Sequence, residues 1–188
     1  MTKPAKESTP IIQITPLLVA PRFYIVSKNK FIVMFLLTLG YYYTYWLYKN
    51  WKTYRIATNA KVLPLIRAIM GVLLIYSLFM KIDRQLSISH TPYRWYPRLL
   101  ALALIASGLL GIYAVFWPSA PGAHPVVPVA TLFFNMFCLL RVQSAINHLE
   151  NDPLGEKNSK ITIANCFWIS LVGVGLPLLF YKALMAEL

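Results

Sequence analysis

Residues 27–55 read SKNKFIVMFLLTLGYYYTYWLYKNWKTYR, and the fold class turns on this stretch. Ser27, Lys28 and Lys30 open it, residues 31–48 carry no charge, and Lys49, Lys52 and Arg55 close it. Eighteen uncharged residues at about 1.5 Å each make roughly 27 Å of helix, enough for a thin bilayer core. Tyrosine and tryptophan rings crowd one end, where amphipathic rings favour the headgroup level. The stretch reads as a membrane helix capped by Ser27 and pinned at both ends. Trp46, Tyr48, Lys49, Trp51, Lys52 and Arg55 are its candidate contacts with anionic lipid headgroups.

The rest of the chain has the same character. Of its 188 residues, 58% are hydrophobic and 13% charged, where a soluble domain carries about a quarter charged. The expected fold is an all-α integral membrane protein: residues 1–26 form an N-terminal tail, and residues 27–188 a single helical membrane domain. That domain is a bundle of about five hydrophobic helices, four to five of them spanning, with the fourth extended into the cytoplasm. The formal charge is +12. The bases flank apolar runs instead of forming a stripe on a soluble module, which argues for topology signals and anionic lipid and against nucleic acid.

Outward from the first run, residues 1–21 hold Pro4, Pro10, Pro16 and Pro21. The apolar stretch 11–20 is too short and interrupted for a signal peptide and reads as a tail lying on the membrane or the bundle. The second run, 62–80, starts with Pro64 in a first helical turn and carries Arg67. Only thirteen uncharged residues follow Arg67 up to Met80, so a full span and a re-entrant or tilted helix are both open. A polar connector, 81–98, holds His90, the one connector residue that titrates near neutrality, and Trp95 and Tyr96 beside bases. Residues 99–117 are the cleanest span. The chargeless loop 118–125 reads as the outside end of a hairpin.

The fourth run, 126–140, continues past Arg141 as an amphipathic extension: Val142, Ala145, Ile146 and Leu149 recur on one face, with Gln143 and Asn147 on others. Asn151, Asp152, Pro153 and Gly155 end it. Asn135, Gln143 and Asn147 are the candidate interhelical polar residues. The last run, 161–181, is capped by Asn158 or Ser159. Gly173, Gly175 and Pro177 mark a kink or a close crossing in it.

With Arg67 left to the second run, five plain spans and an inside N-terminus put twelve Lys and Arg inside and five outside. The four bases of 49–61 dissent. If the first two runs both fail to cross, every base but Lys182 falls inside. If only the second run is re-entrant, the basic loops on both its sides share one face but the tail lies outside, and charge alone settles none of these arrangements.

The motif KFIVMFLLTLGYYYTYWLYKNWK, then LPLIRAIMGVLLIYSLFMKI, RVQSAIN and NSKITIANCFWI, resembles a family of small uncharacterised proteobacterial inner-membrane proteins whose first helix ends in G-x-Y-x-x-YW-x-YKNW. It is also similar to a short membrane domain of unknown function. Gly40, Tyr42, Tyr45, Trp46, Tyr48, Lys49, Asn50 and Trp51 fall on that pattern, and the resemblance runs over about residues 23–179. It implies a bacterial inner-membrane location and supplies no activity.

The sequence holds no Walker A, GxGxxG, HExxH or GxSxG pattern. It has six acids, none inside an apolar run, and three scattered histidines, so neither an intramembrane proton site nor a zinc set is legible. Cys138 and Cys166 read as small buried hydrophobes. No cofactor and no catalysis are expected. The reading is a non-catalytic multi-pass protein, an accessory, scaffold or immunity-type partner acting through helix or lipid contacts. Its partners would be anionic lipids and a membrane protein or further copies of itself. The alternative is a small channel or transporter, with Asn135, Gln143 and Asn147 lining the path.

Overall fold

The computed structural model describes residues 20–89, 93–116 and 126–186. The readings for residues 11–19, His90 and the loop 118–125 lie outside the described residues. The described residues are mainly helical, with no strand among them.

Ser27 is extended and accepts the Lys30 amide on its hydroxyl, the cap the sequence calls for. The helix it starts, α1 (Lys28–Leu37), stops after ten residues. The single helix expected over residues 31–48 is therefore not formed. Leu39 and Gly40 turn to φ of 51° and 86°. Their amides bond back to Leu36 and Phe35 carbonyls, a left-handed C-terminal turn with the 6→1 and 5→2 bonds of a Schellman motif. Glycine tolerates such a φ and leucine pays for it in strain. At Gly40 a Cβ would also lie 3.1 Å from the Leu132 side chain. The chain then reverses into α2 (Tyr42–Thr58). The Phe31 ring meets those of Tyr42 and Trp46 edge-on at 5.4 and 6.2 Å, so α1 and α2 form a hairpin.

The second run is broken as well. α3 (Pro64–Ile69) descends along α2 with the Arg67 guanidinium 4.4 Å from the Trp51 ring. At Gly71, beside Leu47 and Tyr43, it gives way to α4 (Gly71–Ile88). α4 climbs back until Lys81 sits over Tyr54 at 4.9 Å. The connector read from Lys81 onward is thus helical to Ile88, since Ile82 and Leu86 continue the buried face.

α5 (Pro97–Phe116) packs on α4, Gly108 facing Val72. α6 (Val126–Leu149) is the one described helix long and apolar enough to cross a membrane. It divides in two. Val126, Val129, Phe133 and Phe137 are exposed, whereas Cys138, Leu139, Val142, Ala145 and Ile146 are buried. Asn151 in the left-handed region ends it.

Thr162, not Asn158 or Ser159, caps the last helix, in a reciprocal box with Asn165. α7 (Ile163–Trp168) runs through a π-helical segment, Ile169–Gly175, into α8 (Leu176–Ala186). Pro177 has no amide to give the Gly173 carbonyl, so the ladder widens before it. A Cβ on Gly173 would stand 1.9 Å from the Leu37 carbonyl oxygen. Only glycine permits this approach of the last helix to the end of α1.

The core gathers at one end of the bundle. Phe23 and Val26 from the segment before α1, Trp46 and Trp51 from α2, Ile75 and Ile82 from α4, and Val142 and Ile146 from α6 are all inaccessible. Residues 22–26, read as tail, belong to this core. The amides of residues 22 to 24 and the carbonyls of residues 24 to 26 are hydrogen-bonded in it, and Phe23 stacks on Tyr54 at 5.6 Å.

Candidate functional site: a polar clasp and an aromatic cleft

The segment 22–27 is neither helix nor strand, so its buried peptide groups need side-chain partners. α6 and the residue just past its end supply three from one side, at i, i+4 and i+7. Gln143 donates to the Tyr24 carbonyl at 3.1 Å and Asn147 to that of Val26 at 3.0 Å. One Glu150 carboxylate oxygen accepts the amides of Arg22 and Phe23 at 3.0 and 2.9 Å. From α2, Asn50 accepts the Tyr24 amide. Asn158 donates to the Ile25 carbonyl and the Tyr24 hydroxyl, and its own carbonyl takes the Ser27 amide. The buried Lys30 ammonium donates to the Asn158 side chain and the Lys160 carbonyl, both at 2.7 Å. Arg22 completes the clasp with a short bond to Gln85 on α4.

Gln143 also donates to Asn147 and accepts the Trp46 indole N–H. These two amides, read as lying off the buried face of α6, are fully buried in this network. Burial pushes the Glu150 carboxyl up, and the Phe23 and Arg22 amides bring it part of the way back. Asp152 is also desolvated, but the Lys157 and Glu156 amides outweigh that and hold it below the usual carboxylate range. Among the described residues no cluster of metal-binding groups occurs.

Trp46 and Trp51, read as interfacial rings, are inaccessible. α2 turns residues 42, 46, 47, 50 and 51 toward the core. That leaves Tyr41, Tyr45, Tyr48, Lys52 and Arg55 on its other side, at i, i+4, i+7, i+11 and i+14. Lys52 and Arg55 are exposed, while Tyr48 and Lys49 are half-buried. The Lys52 ammonium lies 5.9 Å from the Tyr48 ring centre and that of Lys49 5.3 Å from the Tyr24 ring. Of the six candidate headgroup contacts, four keep access to the surface.

Asn135 makes no helix-bridging hydrogen bond among the described residues, and its amide oxygen is buried without a partner. It lines a cavity of about 400 Å³ between the α1–α2 turn and helices α4 to α6. A second cavity, about 340 Å³, lies on the other side of that turn. Tyr41, Tyr45 and Tyr48 form one wall, and Trp168, Val172 and Leu176 of the last helix the other, with Asn165 among its lining residues. The sequence reading missed this cleft. Its only trace in the sequence is the four-residue spacing of 168, 172 and 176, which belongs equally to any apolar helix.

Comparison with protein-family models, with curated proteins and with solved structures returned no significant match.

Proposed function

We propose that this is a non-catalytic protein of a bacterial inner membrane that enters the bilayer by two half-depth hairpins and crosses it three times. The hairpins are α1–α2 and α3–α4. The crossings are α5, α6 and the last helix. The observation that carries this reading is the turn between α1 and α2. Its seven consecutive amides, 38 to 44, are all bonded inside the turn: the Tyr42 amide to the Thr38 hydroxyl, the others to carbonyls of residues 34 to 41. Backbone at membrane depth must be satisfied without water, and this turn meets that demand with Leu37 and Leu39 exposed beside it.

The placement of the bases supports the same arrangement. Contacts of Lys30 with Lys160, Lys49 with Tyr24, Lys81 with Tyr54 and Arg22 with Gln85 tie every basic loop to the clasp end. The four bases of 49–61 then share the inside face with the rest, in keeping with positive-inside bias. Among the described bases, Lys182 is the exception, some 30 Å along the last helix from Thr162 by a rise of about 1.5 Å per residue.

The activity class is an accessory or scaffold whose work is helix and lipid contact. The clasp side chains bond to backbone and to one another, so Gln143 and Asn147 offer no polar path, and the channel alternative rests on Asn135 by itself. Two measurements test the reading. In a version lacking Cys138 and Cys166, single cysteines at Asn59 and Ser119 are exposed to a membrane-impermeant maleimide on intact spheroplasts. Ser119 labels and Asn59 does not; labelling of Asn59 from outside overturns the half-depth hairpins. In proteoliposomes the protein gives no ion flux, and selective flux abolished by Asn135→Leu would replace the scaffold reading by the channel.

A further inference from the structure

The outer stripe of α2 changes character along its length: three tyrosines border the cleft, and two cations follow in line. We propose that the cleft seats one acyl chain of an anionic glycerophospholipid from the leaflet on the basic face, with the lipid phosphate held by Lys52 and Arg55. The inference rests on the membrane reading above and adds a defined ligand to it.

Dimensions select the occupant. From Asn165 to Leu176 the cleft wall runs about 16 Å at 1.5 Å per residue. The cleft is a slot of about 340 Å³, and an extended hydrocarbon chain, narrower than a helix about 10 Å across, fits along it. The walls suit it, because the space is bounded by tyrosine, tryptophan, valine and leucine side chains.

Charge selects the headgroup. Of the four described acids, three carboxylates already accept N–H groups: Asp83 from Trp95, Glu150 from the Arg22 and Phe23 amides, Asp152 from the Glu156 and Lys157 amides. Lys52 rests over the Tyr48 ring, which holds the ammonium at the cleft mouth without neutralising it. Arg55 stands three residues further along, exposed and able to take a phosphate on two nitrogens. The chemistry is that of an amphiphile laid along one helix, tail against rings and phosphate against bases.

The test is native mass spectrometry of the full chain in detergent, with dioleoyl phosphatidylglycerol and dioleoyl phosphatidylcholine offered in equal amounts. The parent is expected to retain one phosphatidylglycerol in preference to phosphatidylcholine. Lys52→Gln with Arg55→Gln, both at exposed positions, should keep a bound lipid but lose the preference, by about five-fold per base. Thr44→Phe, which intrudes on the cleft from an exposed site, should lose the retained lipid while its helical circular dichroism stays that of the parent. Equal retention of the two lipids by the parent, or a preference unchanged in the double variant, overturns the proposal whether or not Thr44→Phe folds. Protection of Asn59 from external maleimide, measured separately, tells a failed lipid site from a failed topology.

Discussion

Trp46 on α2 donates its indole N–H to the Gln143 side chain on α6 at 2.6 Å, with both residues inaccessible to solvent. This bond joins the aromatic hairpin to the helix that anchors the clasp. Gln143 uses both amide hydrogens and its oxygen: it accepts from Trp46 and donates to Tyr24 and Asn147.

Removing one partner of such a bond leaves the other desolvated and unpaired, at a cost of about 1–3 kcal/mol. Gln143→Leu is therefore expected to lower stability in detergent by that amount, read as loss of helical circular dichroism on heating. Gln143→Glu would keep the acceptor for Trp46 and lose the donors to Tyr24 and Asn147, so it should also destabilise. A Gln143→Leu protein as stable as the parent would show that the network does not hold the clasp.

Two glycines on apolar helices should respond oppositely to alanine. At Gly173 the added methyl would collide with the Leu37 carbonyl oxygen, while at Gly111 it meets nothing within 4 Å. Gly173→Ala must push the last helix off α1 and should destabilise strongly. Gly111→Ala should stabilise by up to about 1 kcal/mol through helix propensity alone. Equal melting temperatures for the two variants would refute the close crossing.

The α1–α2 turn carries a leucine where its backbone suits glycine, with Leu39 at φ 51°. Leu39→Gly should relieve about 1 kcal/mol of left-handed strain and raise the melting temperature in detergent. Its side chain is exposed, so little packing is lost. A drop in stability would mean that the residue 39 side chain contributes more than the strain it imposes.

Glu150 lies at the polar end of α6, and its carboxyl is raised by burial. The folded protein thus holds the Glu150 proton more tightly than the unfolded chain does. The stability this group confers is fully present below its ordinary value of 4.5 and is lost as pH rises through the higher folded value. Glu150→Gln keeps an oxygen acceptor for the Arg22 and Phe23 amides and removes the titration. Its stability relative to the parent should rise as pH increases through the weakly acidic range, measured by thermal unfolding in one detergent at several pH values. A relative stability that falls over this range would contradict the assigned direction.

The sequence by itself determined the class of secondary structure, the Ser27 cap and the end of α6 at Asn151, because each depends on apolar run length or on residues within a turn of one another. It also placed Val142, Ala145, Ile146 and Leu149 on one buried face by helical period. It did not determine that residues 31–48 form two helices. Composition over that run is uniformly apolar, and the reversal needs Leu39 in a strained conformation held by its Phe35–Gly40 setting and by Leu132 more than ninety residues away. Nor could it orient α2: with aromatic rings on every side of that helix, periodicity carries no direction. Contact with Gln143 and Arg67 sent Trp46 and Trp51 inward and left the tyrosine and lysine stripe outside. The clasp, too, was decided by tertiary structure. Read alone, α6 and the residue after it put Gln143, Asn147 and Glu150 away from the apolar face; Gln143 and Asn147 are buried and Glu150 half-buried because an irregular segment about 120 residues earlier brings unpaired peptide groups to them.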